Sequence, residues 1–270
     1  IVSCQKYLIY IHKMTLMQLF RILLSISIVI LLLSCSKKGP DADIEITNIN
    51  VVDVKEGRIL ENRTVHIKDD SIISTTHPPG NSDITIDGSG KYLMPGLWDF
   101  HAHFRGGDTL IAENRHLLNL HLANGITTVR DAGGDLAEAV LRWRDQVEAG
   151  IMTGPKIFTS GPKLDGSDPT WAGSIELTDT SQVSAAIDSL LDMEIDFVKL
   201  YDSTIPPEVY LEAIKQAEDA GLPVTGHMPY SVNFRDAVDR GLDASEHMYY
   251  VFKGGSPREK AITQKVKNGE

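Results

Sequence analysis

The chain has 270 residues, a length that suits one large domain or two small ones. Its 42% hydrophobic and 23% charged residues are ordinary for a soluble globular protein. The formal charge of −11 becomes −14 once the first 35 residues, which hold Lys6, Lys13 and Arg21 and no acid, are set aside. A body this acidic repels phosphate backbones and argues against nucleic acid as a partner. The two cysteines, Cys4 and Cys35, can build neither a disulfide framework nor a thiolate zinc site.

Residues 1–13 lack an initiator methionine and look like upstream read-through, with Met14 or Met17 as the start. Arg21 then precedes an apolar stretch, Ile22 to Leu33, interrupted only by Ser25 and Ser27. That stretch is short for a bilayer span and right for a signal-peptide core. It ends in Leu32-Leu33-Ser34-Cys35, which resembles a bacterial lipobox with Cys35 as the lipidated residue. Residues 1–35 are therefore expected to direct export to the bacterial cell envelope, with a lipid anchor in the membrane. An uncleaved membrane anchor and a plain signal peptide are the competing readings. Residues 36–43 are small, charged and Pro-containing, as a flexible tether is.

From 44 to 90 the pattern is short and β-like. Ile44–Asp53, Thr64–Ile67, Ser71–Thr76 and Ile84–Ile86 are rich in β-branched residues and separated by Gly57, Asn62 and Asp69-Asp70. The expectation is a small antiparallel sheet. From 91 to 270 the rhythm becomes strand then helix. Strands are expected at Leu97–Phe100, Thr127–Val129, Lys156–Ser160, Asp196–Tyr201, Leu222–Gly226 and Ala244–Glu246. Helices are expected at Thr109–Ala123, Leu136–Ala149, Ser181–Met193, Pro207–Ala220, Ser231–Arg240 and Ser256–Lys267. A long loop joins Ser160 to Ser181 through Trp171. This alternation predicts an α/β fold on a parallel sheet. About six β/α units fit the space, where a (β/α)8 barrel needs eight. The expected fold is an open six-stranded sheet or an incomplete TIM-like barrel.

Polar residues gather at strand ends. His101 and His103 lie two apart, on one face of a strand, where two imidazoles can grip one metal ion. His227 and His247 each follow a strand directly, and Lys199 lies within one, between Val198 and Leu200. His116 and His121, by contrast, fall on a helix. A bare His-x-His pair is as readily packed or exposed as metal-bound. Lys199 has two readings. Buried, it could lose its proton or react with CO2 to give a carbamate, an anion with two oxygens that can bridge two metal ions. Alternatively it pairs with Asp196 or Asp202. Tyr230 lies three residues past His227 and could hydrogen-bond a substrate or pack in its loop. Arg130 could pair with Asp131 or bind a substrate carboxylate.

Six segments together resemble the amidohydrolase superfamily, most closely its imidazolonepropionase-like branch with the Xaa-Pro dipeptidases. They are Gly90-Lys-Tyr-Leu-Met-Pro-Gly-Leu-Trp-Asp-Phe-His-Ala-His103, Gly125-Ile-Thr-Thr-Val-Arg-Asp131, Gly154–Pro162, Val198-Lys-Leu-Tyr201, Gly221–His227 and Gly241–His247. The resemblance spans about residues 44–255. It implies that His101 and His103 bind a first divalent metal, most often zinc, and that His227 and His247 bind a second. Lys199, carboxylated by CO2, would bridge the two. It also implies a catalytic Asp after an eighth strand, expected beyond Glu270, and a small β-sandwich whose N-terminal half is the sheet at 44–90. The implied reaction is hydrolysis of an amide-type C–N bond in a small molecule or dipeptide by a metal-activated water. Two other readings compete: a metal- or ligand-binding lipoprotein without catalysis, and an esterase, lactonase or phosphoesterase on the same scaffold.

Overall fold

The computed structural model describes residues 39–75 and 78–270, and these divide into two compact units with the boundary at Pro95/Gly96. The expected signal segment, Cys35 and most of the expected tether lie outside the described residues. Among the described residues no helix is long and apolar enough to cross a membrane.

The first unit is a five-stranded sheet: β1 (Ala42–Asp53), β2 (Arg58–Lys68), β3 (Ser71–Ser74), β4 (Ser82–Asp87) and β5 (Tyr92–Leu93). β1 pairs antiparallel with β2, and β2 with β3, across tight turns. The expected all-antiparallel arrangement is corrected on the other edge of β1, where β4 and β5 both run parallel to it. The cause is the length of β1 and a break within it. Asn48 sits at φ 55, so β4 takes Ala42–Thr47 and β5 takes Asn50–Val51. Val65 and Ile49 are buried in this unit, with His66 held 3.0 Å from Glu45 beneath the sheet surface.

The second unit is a partial (β/α) barrel. Its strands are β6 (Leu97–Ala102), β7 (Ile126–Asp131), β8 (Lys156–Thr159), β9 (Leu164–Asp165), β10 (Ile175–Glu176), β11 (Val198–Leu200), β12 (Val224–Gly226) and β13 (Ala244–Ser245). They form two parallel sheets, β6-β7-β8 and β10-β9-β11-β12-β13. The two sheets meet where Asp196 N–H donates to the Thr159 carbonyl (2.9 Å) and the Asp196 carboxylate accepts from Thr159 N–H (2.8 Å). The segment read from sequence as a loop after Ser160 therefore contains β9 and β10. Leu164 and Asp165 are both buried, so a two-residue run carries a strand too short to show periodicity.

Helices α1 (Ile111–Ala123), α2 (Ala137–Glu148), α3 (Val183–Asp192), α4 (Pro207–Asp219), α5 (Phe234–Val238), α6 (Met248–Gly254) and α7 (Glu259–Lys267) complete this unit. α4 shows why they form. Pro207 opens it with a fixed φ, Val209, Tyr210, Ala213, Ile214 and Ala217 line one buried face, and Gly221 at φ +74 ends it. That face joins Leu190, Val198, Leu200 and Val224 in the larger core. Phe104, Leu118, Val129, Leu136, Trp143 and Ile157 form a second core under α1 and α2. α5 is shorter than expected because Pro229 and Val232 close a turn and Asn233 stays extended at ψ 141. α6, not expected from the sequence, starts directly after His247.

Candidate functional site

The C-terminal ends of parallel barrel strands are where α/β barrels place reacting groups. β6 delivers His101 and His103 there. β6 carries a bulge between Asp99 and Ala102, which re-aims the strand just before the two rings. Lys199 is the middle residue of β11, His227 follows β12, and His247 follows β13. The structure brings all five together. The His101 and His103 Nε2 atoms lie 3.1 Å apart. The His247 ring centroid is 5.1 Å from that of His101 and 4.9 Å from that of His227.

The partners of these rings fix which nitrogen faces outward. His103 Nδ1 lies 2.7 Å from the Gly133 carbonyl, which can only accept. His101 Nδ1 lies 2.7 Å from Glu246 Oε2, and His227 Nδ1 lies 3.2 Å from Asp202 Oδ1. Each Nδ1–H therefore donates outward, and the opposite ring nitrogen, Nε2, faces away from these partners. Neutrality is favoured at His103, whose pKa burial pushes down to about 4. His247 is also lowered, by burial and by the nearby His227 and His101. The result is a pair of Nε2 atoms, on His101 and His103, facing each other at hydrogen-bond distance. A divalent cation could be shared by the two nitrogens once both are unprotonated. Two nitrogens on one tetrahedral zinc stand roughly 3.3 Å apart, close to the observed spacing. Among the described residues, no three His, Cys, Asp or Glu side chains are already drawn together tightly enough to hold one ion.

Lys199 is fully buried, and its Nζ has no hydrogen-bond partner, 3.5 Å from Glu246 Oε1. Burial lowers its pKa to about 8 against the pull of Glu246. Burial alone would raise Glu246, but Lys199, Thr225, Arg130 and His101 outweigh it and hold the carboxyl at about 2. Glu246 accepts from Thr225 Oγ1 at 2.8 Å and pairs with Arg130, so four strands meet on one carboxylate. Two sequence alternatives are thereby corrected. Lys199 pairs with neither Asp196, which serves Thr159 N–H, nor Asp202, which serves His227 and accepts from Tyr250 Oη at 2.6 Å. Arg130 pairs with Glu246 and the Phe100 carbonyl, not with Asp131. Tyr230 stays 41% exposed beside Tyr250, outside this network.

His247 is strained. Its backbone sits at φ 67, ψ 143, a region that side chains avoid and that costs on the order of 1–3 kcal/mol. The strain places its ring against Tyr249 and between His101 and His227.

The profile of the amidohydrolase family matches residues 92–266. The chain belongs to this family. An adenine deaminase of Staphylothermus marinus is 27% identical over 212 residues, covering 70% of this chain and 33% of that protein. A dihydroorotase of Carboxydothermus hydrogenoformans is 35% identical over 108 residues, 37% of this chain and 25% of its own length. Among solved structures, a candidate prolidase from Bifidobacterium longum superposes with a TM-score of 0.64 at 26% identity, covering 77% of this chain and 55% of that one. This amidohydrolase chain thus spans a quarter to a third of those two curated relatives and about half of that solved structure.

Sequence reasoning missed Glu246, Asp202 and the Gly133 carbonyl, which orient the rings of this amidohydrolase. Glu246 had a signal: it precedes His247 and ends a strand expected to be buried, where an unpaired carboxylate is costly. The Gly133 carbonyl had none, because any residue supplies one.

Proposed function

We propose that this chain carries the metal-holding face of a hydrolase that cleaves an amide-type C–N bond in a small molecule or dipeptide. One observation carries the reading: imidazoles gathered at strand ends, with the Nδ1 atoms of His101, His103 and His227 tied outward, stand near a buried lysine without a hydrogen-bond partner. His101 and His103 would hold one divalent ion, zinc by donor type, and His227 and His247 a second. Lys199 suits the bridging position. Its neutral amine would add to CO2, lose one proton and become a carbamate anion with two oxygens. Such ions supply hydroxide at neutral pH by lowering the pKa of bound water to about 7.

The chain's own residues do the rest. Glu246, Gly133 and Asp202 fix the rings in one tautomer. Tyr230, exposed three residues past His227, would donate a hydrogen bond to the substrate carbonyl oxygen. The deaminase, dihydroorotase and prolidase names borne by relatives all denote C–N bond hydrolysis, which supports the same class. We further propose export to the cell envelope with a lipid anchor at Cys35, and a division of the body into a small β-domain at 44–90 and a hydrolase domain from 91.

Metal analysis of the purified whole protein is expected to find about two equivalents of a zinc-like ion, with His101→Ala losing at least one. Chelation should abolish hydrolysis of an amide panel and metal should restore it. Metal-free protein with undiminished hydrolysis, or no metal uptake, would refute the reading. Cys35→Ser should release the protein from membranes, and unchanged attachment would refute the anchor.

A further inference from the structure

The last residue of β9 is a carboxylate that solvent does not reach. Asp165 is fully buried, and its Oδ2 has no hydrogen-bond partner. A buried acidic oxygen left unpaired is costly, so the other oxygen must offset it. Oδ1 gathers backbone N–H groups. It accepts from Gly166 at 2.8 Å, from Ser203 at 3.1 Å and, more loosely, from Thr204 at 3.5 Å. The same charge favours the protonated form of Lys163.

Gly166 continues the chain from β9, but Ser203 and Thr204 come from elsewhere. They lie in the loop after β11, residues 201–205. That loop rests closely on the segment from Leu164 to Thr170. A Cβ on Gly166 would stand 2.3 Å from the Thr204 carbonyl carbon and 2.4 Å from Ile205 N. Tyr201 N–H donates to the Leu164 carbonyl at 2.9 Å. Thr170 N–H donates to Ser203 Oγ at 3.1 Å, the two hydroxyls lie 2.9 Å apart, and Thr204 Oγ1 donates to the Ser167 carbonyl. Asp165 supplies a charged acceptor at the start of this bed. A charged oxygen suits the task, because its hydrogen bonds are about twice as strong as those of a neutral one.

The loop carries Asp202, the residue next to Ser203. Asp202 Oδ1 lies 3.2 Å from His227 Nδ1, and Oδ2 accepts from Tyr250 Oη at 2.6 Å. His101 and His103 are supported from other places. Their Nδ1 atoms meet Glu246 and the Gly133 carbonyl. The imidazole cluster therefore has separate supports for its two sides.

We infer that Asp165 is a positioning residue for His227. By holding the 201–205 loop it sets Asp202 against Nδ1, and so decides which nitrogen of that ring faces the cluster. Its consequence for metal binding rests on the cluster being a metal site, while its effect on the ring does not.

The test follows the ring nitrogens of the whole protein, after chelation, by 15N NMR at about pH 8.5, where free imidazole is neutral. His227→Gln assigns the His227 signals, and the same substitution at His101 and His103 assigns theirs. In wild type His227 is expected to carry its proton on Nδ1. Asp165→Ala should move His227 toward a mixture of both tautomers and leave His101 and His103 as they were. Asp165→Asn keeps the shape and an acceptor oxygen without the charge, and should fall between the two. Should the alanine variant fail to fold, the asparagine variant decides on the same readout. His227 unchanged in a folded Asp165 variant overturns the inference. An equal change at all three rings also overturns it, since that marks a general loosening of the barrel.

Zinc titration of the same samples separates this inference from the hydrolase reading. One equivalent should weaken about tenfold or more in Asp165→Ala while the other is unchanged, the usual scale for losing support behind a ligand. Equal weakening of both equivalents, or of neither, overturns the inference. A wild type that takes up no zinc refutes the metal reading, and the ring comparison still decides on Asp165.

Discussion

Replacing Asp131 by asparagine separates the barrel's pH dependence from that of its imidazole cluster. Asp131 ends β7, is completely buried, and accepts a hydrogen bond from Thr159 Oγ1 on Oδ2, while Oδ1 has no partner. Burial raises its pKa from 3.8 to about 6, with the Thr159 hydrogen bond and the Lys163 charge pulling the other way. Between those two values the folded chain keeps a proton that the unfolded chain has released. Stability therefore falls as pH rises through this window, and the full penalty is present above it. From pH 4.5 to pH 7 the loss works out at about 2 kcal/mol for this group alone, taking about 1.4 kcal/mol per pKa unit. Asparagine has nearly the same shape and does not titrate. Urea unfolding of wild type and Asp131→Asn should thus show a difference in stability that moves by about 2 kcal/mol in favour of the variant from pH 4.5 to pH 7. Lys163, the charged neighbour of Asp131, is present in both proteins. A difference that stays flat across this range, or moves the other way, would refute the assignment of a burial-raised carboxyl.

Three further substitutions test other parts of the structure. His247→Gly removes a ring and the strain at φ 67 together, so it should raise stability by on the order of 1 kcal/mol while lowering zinc uptake; a less stable variant would show that the backbone is not strained there. Tyr210 is fully buried with an unpartnered hydroxyl, so Tyr210→Phe should be neutral or stabilising by roughly 1 kcal/mol in thermal unfolding, and a clear loss would reveal a hidden partner. Gly226→Ala would put a Cβ 2.3 Å from the Leu200 carbonyl oxygen, forcing β11 and β12 apart, and should cost several kcal/mol and most of the soluble yield, whereas wild-type stability would contradict the close approach.

The elements most legible in the sequence were those whose signal is local. α4 announces itself by Pro207 at its start, an apolar face and Gly221 at its end, and it forms within one residue of expectation. The gathering of His101, His103, His227 and His247 at strand ends, with Lys199 inside β11, was legible because alternating strand and helix fixes which ends share a face. The strands β9 and β10 were not, since two residues cannot show a period and their pairing depends on β11, more than twenty residues away. The parallel pairing of β4 and β5 with β1 was hidden for the same reason: strand composition favours a sheet but says nothing about direction. Partner choice was the hardest to foresee. Lys199 had Asp196 and Asp202 as sequence neighbours, yet side chains alternate along a strand. The carboxylate that meets it comes from Glu246, two strands away.

That last point bears on how the site is prepared. A histidine can present either nitrogen, and in water the choice is nearly free. Here the choice is made by acceptors with no proton to give: the Gly133 carbonyl, and the Glu246 and Asp202 carboxylates. Glu246 can do this only while ionised, and its ionisation is secured by Arg130, Thr225 and Lys199 from three other strands. Ring orientation at β6 therefore depends on a carboxylate at β13 that is itself held by β7, β11 and β12. Glu246→Gln keeps the shape but offers an amide that can also donate, so His101 would be free to turn its other nitrogen inward. The expected result is weaker zinc binding, by about ten- to a hundredfold, with little change in fold. Circular dichroism and zinc titration on the same sample read the two separately. Unchanged zinc affinity in a folded Glu246→Gln protein would show that the carboxylate only braces the barrel and does not set the imidazole.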